Sequence, residues 1–298
     1  MTLSELKFIV AVAHEKNFRK AADKCFVSQP ALSLAIKKLE EELDLVIFER
    51  SRKDVTVTNA GQSIVNQAIV VLDEAAKIKE LAKLGDSHLS QPFKLGLIYS
   101  IAPYLLPLII PQLRKSAPDM PLEIEENITN NLREKLKKGN IDAAVIALPF
   151  DVPGIEIIEL YDEEFVTVVP SNHNWSNKKN ISSKELSNEK VLLLDNTHCF
   201  SSQVLEACPG LSKKSEIQMG NSLETIRNMV ASNLGISVLP KSAAALKHHN
   251  PLVNVIPFEK PAPFRRVALA FRKSSVKKDA IEKIALTIKN IDIKNFNP

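Results

Sequence analysis

Residues 17–43 read NFRKAADKCFVSQPALSLAIKKLEEEL, and their apolar spacing predicts two short helices joined by a tight turn. Phe18, Ala21, Ala22 and Cys25 share one face of the first, where Cys25 reads as packing. Phe26-Val27 makes the turn. Ser28 caps the second helix, and Pro30 stands in its first turn, where proline is tolerated. Leu32, Ile36, Leu39 and Leu43 form its buried stripe. Two short helices of this kind, the second opening on small polar residues, describe a helix-turn-helix.

The flanks fit that unit. Upstream, LSELKFIVAVA (3–13) carries Leu3, Leu6, Ile9, Val10 and Ala13 at helical spacing. Downstream, FERSRKDVTVTNAG (48–61) alternates Val55 and Val57 with Thr56 and Thr58, as a strand does. Arg50, Arg52 and Lys53 fall in the turn before it, a basic wing suited to phosphate. Residues 1–58 hold ten Lys and Arg against nine Asp and Glu, so the unit is nearly neutral. The charges are segregated, however. Lys16, Arg19, Lys20 and Lys24 cluster before the turn, and Glu40, Glu41 and Glu42 gather at the far end of the third helix.

FxxAAxxCxVSQPALSxxIKKLEEELxxxxFER…TxAG closely resembles the DNA-binding domain of LysR-type transcriptional regulators. The resemblance implies double-stranded promoter DNA as partner. It places Gln29, Pro30, Ser33 and Lys37 against the major groove or its phosphates, with Arg19 and Ser28 beside them and Arg50, Arg52 and Lys53 on the wing.

Residues 60–84 place Ile64, Ala68, Val71, Ala75, Ile78 and Ala82 at alternating steps of four and three, a coiled-coil seam. Val65, Ile69, Leu72 and Ala76 add a second strip. One helix cannot bury both strips alone, so a dimer through this helix is expected. From Phe93 the pattern turns to alternating strands and helices. Strands are predicted at 94–98, 122–126, 142–148, 165–170, 191–194, 215–219, 235–240, 253–258 and 267–272. Pro103, Pro107 and Pro111 weigh against a helix over 103–115 on propensity alone. The predicted class is α/β: an N-terminal winged helix-turn-helix (1–58), a linker and dimerisation helix (59–90), and a regulatory domain (91–298). The family implies a periplasmic-binding-protein-like regulatory domain of two α/β subdomains, 91–162 with 268–298 and 163–267, crossing over near Leu160–Glu163 and Arg266–Ala268. It also implies a tetramer, with RNA polymerase as a further candidate partner.

Composition agrees with a globular chain: 45% hydrophobic, 25% charged, net charge +4. Three cysteines in 298 residues exclude a disulfide scaffold and suit a reducing compartment. With no signal-peptide pattern and no apolar run near membrane length, the expected location is the cytoplasm, at the nucleoid, with no membrane partner. No cofactor or metal is expected. His248-His249 sits in a polar KHHNP loop without clustered partners, and there is no CxxC and no GxSxG to suggest a thiol or serine enzyme.

Two cysteines fall in THCFSSQVLEACPG, residues 197–210. Val204, Leu205 and Cys208 suit one face of a short helix, capped by Ser201 or Ser202 and stopped by Pro209-Gly210. Cys199 then sits just before the helix N-terminus, where backbone N–H groups and the helix dipole favour a thiolate. Nine residues of helix rise about 13 Å, whereas a disulfide needs Cα atoms within about 7 Å. Bonding the pair therefore requires the segment to refold, which is the form of a redox switch. Two unrelated core cysteines are the other reading.

The regulatory half resembles the hydrogen-peroxide-sensing branch of the same family, most clearly at PYLLPLIIPQL (103–113), at His198-Cys199 with Cys208, and at SLETIRNMVASNLGISVLP (222–240). That resemblance implies that Cys199 reacts with peroxide and Cys208 resolves it to a disulfide. It implies a peroxide pocket of Ser100, Thr129 and His198, with Arg266 near the reactive thiol. Ser100 stands where that branch has threonine, and Ser201 where an arginine is frequent, which bears on sensitivity more than on chemistry. The rival is a regulator that answers a small organic effector in the inter-subdomain cleft, its cysteines silent.

Overall fold

The structure is a computed structural model that describes residues 1–50, 55–81, 89, 91–208, 211, 217–245 and 250–291. The chain divides into two compact units. One is Met1–Gly85 with Val152–Gly154 and Lys273–Val276; the other is Asp86–Asp151, Ile155–Arg272 and Lys277–Pro298.

In the first unit α1 (Leu3–Glu15), α2 (Phe18–Cys25) and α3 (Gln29–Leu43) begin at side-chain caps. Thr2 and Glu5 form a reciprocal capping box, Asn17 Oδ1 accepts from Lys20 N, and Ser28 Oγ accepts from Ala31 N. Each helix ends on a non-glycine residue in the left-handed region: Lys16, Phe26 and Asp44. Leu6, Ile9, Val12, Phe18, Ala21, Ala22, Leu32, Ile36 and Leu39 close the core between them. Cys25 is half-buried against that core, and burial raises its thiol pKa. The wing is a hairpin of β1 (Phe48–Arg50) and β2 (Val55–Val57), with Phe48 opposite Val57. Glu40, one of the acids expected merely to stand apart from the basic end, instead fixes the wing: its Oε1 accepts from the N–H groups of Ile47 and Phe48, at 2.7 and 3.1 Å.

Helix α4 (Asn59–Leu81) follows at once. Its start admits only glycine at position 61, because a Cβ there would lie 2.4 Å from the Ile47 carbonyl oxygen. Val65 and Ala68 are buried in the core of this unit, with Ile64, Ile69, Val71 and Leu72 packed against it. The first half of the expected pairing seam is thus used within the chain, where α1 offers it apolar surface. Further along, Ile78 is 69% exposed.

The second unit is built on a nine-stranded sheet, ordered β4-β3-β5-β11-β6-β9-β7-β8, with β10 pairing β6. Strands β3 (Phe93–Ile98), β4 (Leu122–Asn127) and β5 (Ala143–Ala147) run parallel, as do β7 (Val191–Leu194) with β8 (Ile217–Gly220) and β9 (Ile236–Pro240). The strand expected at 165–170 is the second half of a 16-residue strand, β6 (Ile155–Pro170). Its first half, IEIIELYDEE, has too many acids for strand propensity to show it. Pairing with β11 (Phe264–Arg272) from Ile155 to Glu164 carries it, and from Phe165 onward its partners are β9 and β10 (Val253–Pro257). So β6 spans both halves of the unit, and β11 changes register between Val267 and Ala268.

Helix α5 (Ala102–Ser116) forms despite its prolines. Pro103, Pro107 and Pro111 lie four apart and all are exposed, while Tyr104, Leu105, Ile109 and Leu113 face the core. The carbonyls left without a donor face water, where the loss is small. Helix α6 (Thr129–Lys137), α7 (Cys199–Ala207), α8 (Leu223–Ala231) and α9 (Lys278–Lys289) complete the unit. Among the described residues no helix is long and apolar enough to cross a membrane.

Candidate functional site

The first candidate surface is the helix-turn-helix. Arg19, Ser28, Gln29, Pro30 and Lys37 are exposed, and Ser33 is half-buried. Ser28 also serves as the α3 N-cap, so its oxygen is engaged with the helix while its hydroxyl hydrogen stays free to donate. Lys37 Nζ lies 3.6 Å from Glu41 Oε1, one turn on. Arg50 ends strand β1, and Arg52 and Lys53 lie outside the described residues.

The second candidate site gathers at the C-terminal ends of β3 and β7. Cys199 is half-buried and is the first residue of α7, one position further into the helix than the sequence suggested. Its N-cap is His198, which makes no side-chain cap. Neither serine serves as that cap. Ser201 is 1% exposed and donates its hydroxyl to Leu194 O at 2.5 Å, fastening the first turn of α7 to the end of β7. Thr197 donates from its hydroxyl and its N–H to Asp195 Oδ1, which holds the Asp195 carboxyl below its ordinary range. The His198 N–H closes the same turn on Asp195 O at 3.1 Å.

Cys208 is the C-cap of α7, fully buried in the apolar core. Desolvation alone pushes its thiol up to about 11. Both cysteines are free thiols. The nine-residue helix between them spans about 13 Å, so the reduced arrangement keeps the sulfurs apart.

Two contacts bring the loop after β3 to the α7 end. The His198 ring meets Tyr99 edge-on, with centroids 5.8 Å apart. Ser100, 3% exposed, is held by Arg265: Nη1 donates to Ser100 Oγ at 2.8 Å and Nη2 to Ser100 O at 2.9 Å. The Arg265 guanidinium also sits 5.4 Å from the centre of the Phe200 ring. Its counter-charge is Glu163, 2% exposed, whose Oε2 accepts from Arg265 Nε at 2.8 Å. Glu163 Oε1 accepts from Ser242 N at 2.9 Å. One buried arginine therefore joins Ser100, the residue after Cys199 and strand β6.

Arg266, the arginine expected near the reactive thiol, does not join this cluster. It is 42% exposed by side chain and pairs with Asp162 and Glu159. The physical reason is strand alternation: Arg265 and Arg266 are neighbours in β11 and must point to opposite faces. Sequence spacing marks the pair as split and leaves open which member turns inward. The same rule singles out Glu163 from Asp162 and Glu164 only once β6 is known to be a strand.

Thr129 opens α6, and its Oγ1 is buried with no hydrogen-bond partner among the described residues. Gln203, on the second turn of α7, donates Nε2 to Leu148 O at 3.0 Å, while its buried Oε1 likewise has no partner among them. Beside it lies an open cleft of about 870 Å3, walled by Leu148, Phe150, Ile157 and Phe264 and edged by Glu206 and Arg266. His248 and His249 lie outside the described residues.

Residues 3–62 match the model of the bacterial regulatory helix-turn-helix protein, lysR family, and residues 86–289 match the LysR substrate binding domain. A hydrogen peroxide-inducible genes activator of Haemophilus influenzae is 35% identical over 290 residues, covering 97% of this chain and 96% of that protein. The DNA-binding transcriptional dual regulator OxyR of Escherichia coli K12 is 35% identical over 291 residues, 97% and 95% of the two chains. Among solved structures, a full-length cysteine-to-aspartate variant of OxyR from Pseudomonas aeruginosa is 48% identical with a TM-score of 0.68, covering 98% of this chain and 96% of that one. A peroxide-bound cysteine-to-serine mutant of OxyR from Corynebacterium glutamicum is 32% identical with a TM-score of 0.66, covering 99% and 95%. With both family models matched along one chain and relatives alike over nearly their whole length, this protein belongs to the LysR family of bacterial helix-turn-helix regulators.

Proposed function

We propose that the chain is a transcriptional regulator that senses hydrogen peroxide through Cys199 and Cys208. The observation that carries this reading is the placement of two free thiols at opposite ends of α7, one half-open beside His198 and one sealed in the core. Peroxide occupies the space near Ser100, Thr129 and His198, and the Thr129 hydroxyl, buried without a partner among the described residues, is a donor for it. Arg265 holds Ser100 in place from behind.

The chemistry balances in two steps. The Cys199 sulfur attacks one peroxide oxygen, the O–O bond breaks, and sulfenic acid and water form. The Cys208 thiol then displaces hydroxide from that sulfur, its proton leaving with the hydroxide as a second water, and the disulfide closes. The second step needs α7 to unwind, because the helix holds the thiols apart. Two cellular thiols reduce the disulfide and restore the helix in a reducing cytoplasm.

The output is promoter binding by the helix-turn-helix, paired through α4, with a tetramer and RNA polymerase as the further partners that the family suggests. Peptide mapping under non-reducing conditions after mild peroxide should show a Cys199–Cys208 link, and its absence would sink the switch. In Cys199→Ser, peroxide should leave the DNA footprint unchanged.

The cleft beside Gln203 supports a second reading, a regulator that answers an organic effector with silent thiols. That reading requires Cys208→Ala to respond normally, whereas the peroxide switch requires it to lose the disulfide-dependent response.

A further inference from the structure

We infer that the outward face of α3 reads thymine methyl groups in the major groove through Leu34, with Phe26 as a second apolar contact at the helix start. This rests on the assignment of α3 as the DNA-reading helix and goes beyond it to the base chemistry recognised.

Leu34 stands two residues after Leu32 and two before Ile36, both fully buried. At about 100° per residue it points directly away from the core stripe. It is 56% exposed. Around it on the same outward face are exposed Pro30, one turn earlier, and exposed Lys37 and Lys38, one turn later. Nothing in the fold is stabilised by an apolar side chain at that place. Phe26, in the turn before α3, is barer still at 95% exposure. Its φ of 57° is a conformation that glycine or asparagine adopts at less cost. The folded chain therefore holds two large apolar groups in water at the end of the unit where the helix-turn-helix presents its recognition helix.

The occupant follows from charge and chemistry. Lys37 and Lys38 flank Leu34, and Arg19 and Lys20 are exposed on α2, so a polyanion fits this surface better than a neutral protein patch. On the major-groove edge of DNA, the C5-methyl of thymine is the one apolar group, and aliphatic and aromatic side chains contact it. Neither Leu34 nor Phe26 has a hydrogen-bonding side chain, so what they add is preference for thymine at the positions beneath them. Hydrogen-bonded readout is left to Gln29 and Ser33.

The test selects the tightest duplex for the full chain from a randomised library and then replaces each thymine by deoxyuridine, which removes only the methyl. Wild-type affinity should fall about fourfold, the worth of one buried methyl group, at one position under Leu34 and at another under Phe26. Leu34→Gln should bind thymine and deoxyuridine alike at the first, and Phe26→Asn alike at the second. Neither variant should lower the melting temperature, and Phe26→Asn should hold or raise it, which a structural role would not allow. The inference is overturned if no deoxyuridine replacement matters, or if the variants keep the wild-type penalty. A selected site without thymine in the protected half-sites overturns it too. Gln29→Ala and Lys37→Ala separate the two levels. If these leave specific binding intact, the DNA-reading assignment of α3 fails first.

Discussion

Arg265 and Arg266 are adjacent and chemically identical, yet their environments give them opposite weights. Arg265 and Glu163 are both almost fully buried, so removing one strands the other's charge in the core. Arg265→Ala should destabilise the full chain by about 3–5 kcal/mol, and the double variant Arg265→Met with Glu163→Gln should recover part of that loss. Arg266→Ala, made on an exposed ion pair, should cost less than about 1 kcal/mol. Urea unfolding of the four proteins reads both numbers, and equal losses at 265 and 266 would refute the assignment. Cys208 gives a second test at this scale. Its folded-state thiol is raised to about 11, while an unfolded thiol titrates near 8.5. Between those values the unfolded chain has released a proton that the folded chain keeps, so stability falls as pH rises, by up to about 1.4 kcal/mol per unit. Below the lower value the contribution is fully present. In Cys199→Ser, alkylation at Cys208, followed by mass spectrometry of its peptide, should be slow at neutral pH and accelerate up to about pH 11. Fast alkylation at neutral pH would mean that the core opens there.

Helix α7 is where residue effects bear on the proposed switch, and Ser201 fastens its first turn. Its buried hydroxyl bonds the end of β7 from within the first turn. Ser201→Ala removes that bond and leaves a buried carbonyl acceptor weaker by one partner, costing about 1–2 kcal/mol in the reduced form. The disulfide should then form faster after peroxide in a quenched-flow assay, because the reduced helix has less to lose on refolding; an unchanged rate would place the barrier outside the first turn. Ser201 is 1% exposed, a burial that a serine in the sequence does not reveal. Elements were legible where their own periodicity sufficed: α1 to α3, the parallel strands and α7. Others needed tertiary information. The first half of β6 is a strand only because β11 lies beside it. The α5 prolines are harmless only because all three fall on the wet face. The site followed the same pattern. Cys199 and Cys208 are marked by type and spacing, and Ser100 and Thr129 only by the family resemblance, whereas Arg265, Glu163 and Tyr99 enter through strand phase and loop proximity, which no local pattern encodes.

At the scale of the whole molecule, the question is how a single reading helix gains enough affinity to act. One helix-turn-helix covers one half-site, and pairing two copies makes the second contact intramolecular. The pairing proposed for α4 would use its later part, since Val65 and Ala68 are already spent on the unit's own core. Ile78, bare at 69% exposure, is its clearest member, and Val70 is 39% exposed. Ile78→Asp should leave the melting of the helix-turn-helix unit unchanged, because the side chain is exposed. It should shift the chain toward monomer in sedimentation at micromolar concentration. On DNA the same change should act selectively. Wild type should prefer a duplex with two half-sites over one half-site by about 10² or more. Ile78→Asp should lose most of that ratio while keeping its affinity for the single half-site and the salt dependence of that contact. Should the variant stay dimeric with the ratio intact, α4 pairing is wrong and the two reading heads are joined through the regulatory unit. Should affinity fall equally for both duplexes, the substitution has damaged the reader itself, and unchanged melting rules that out independently.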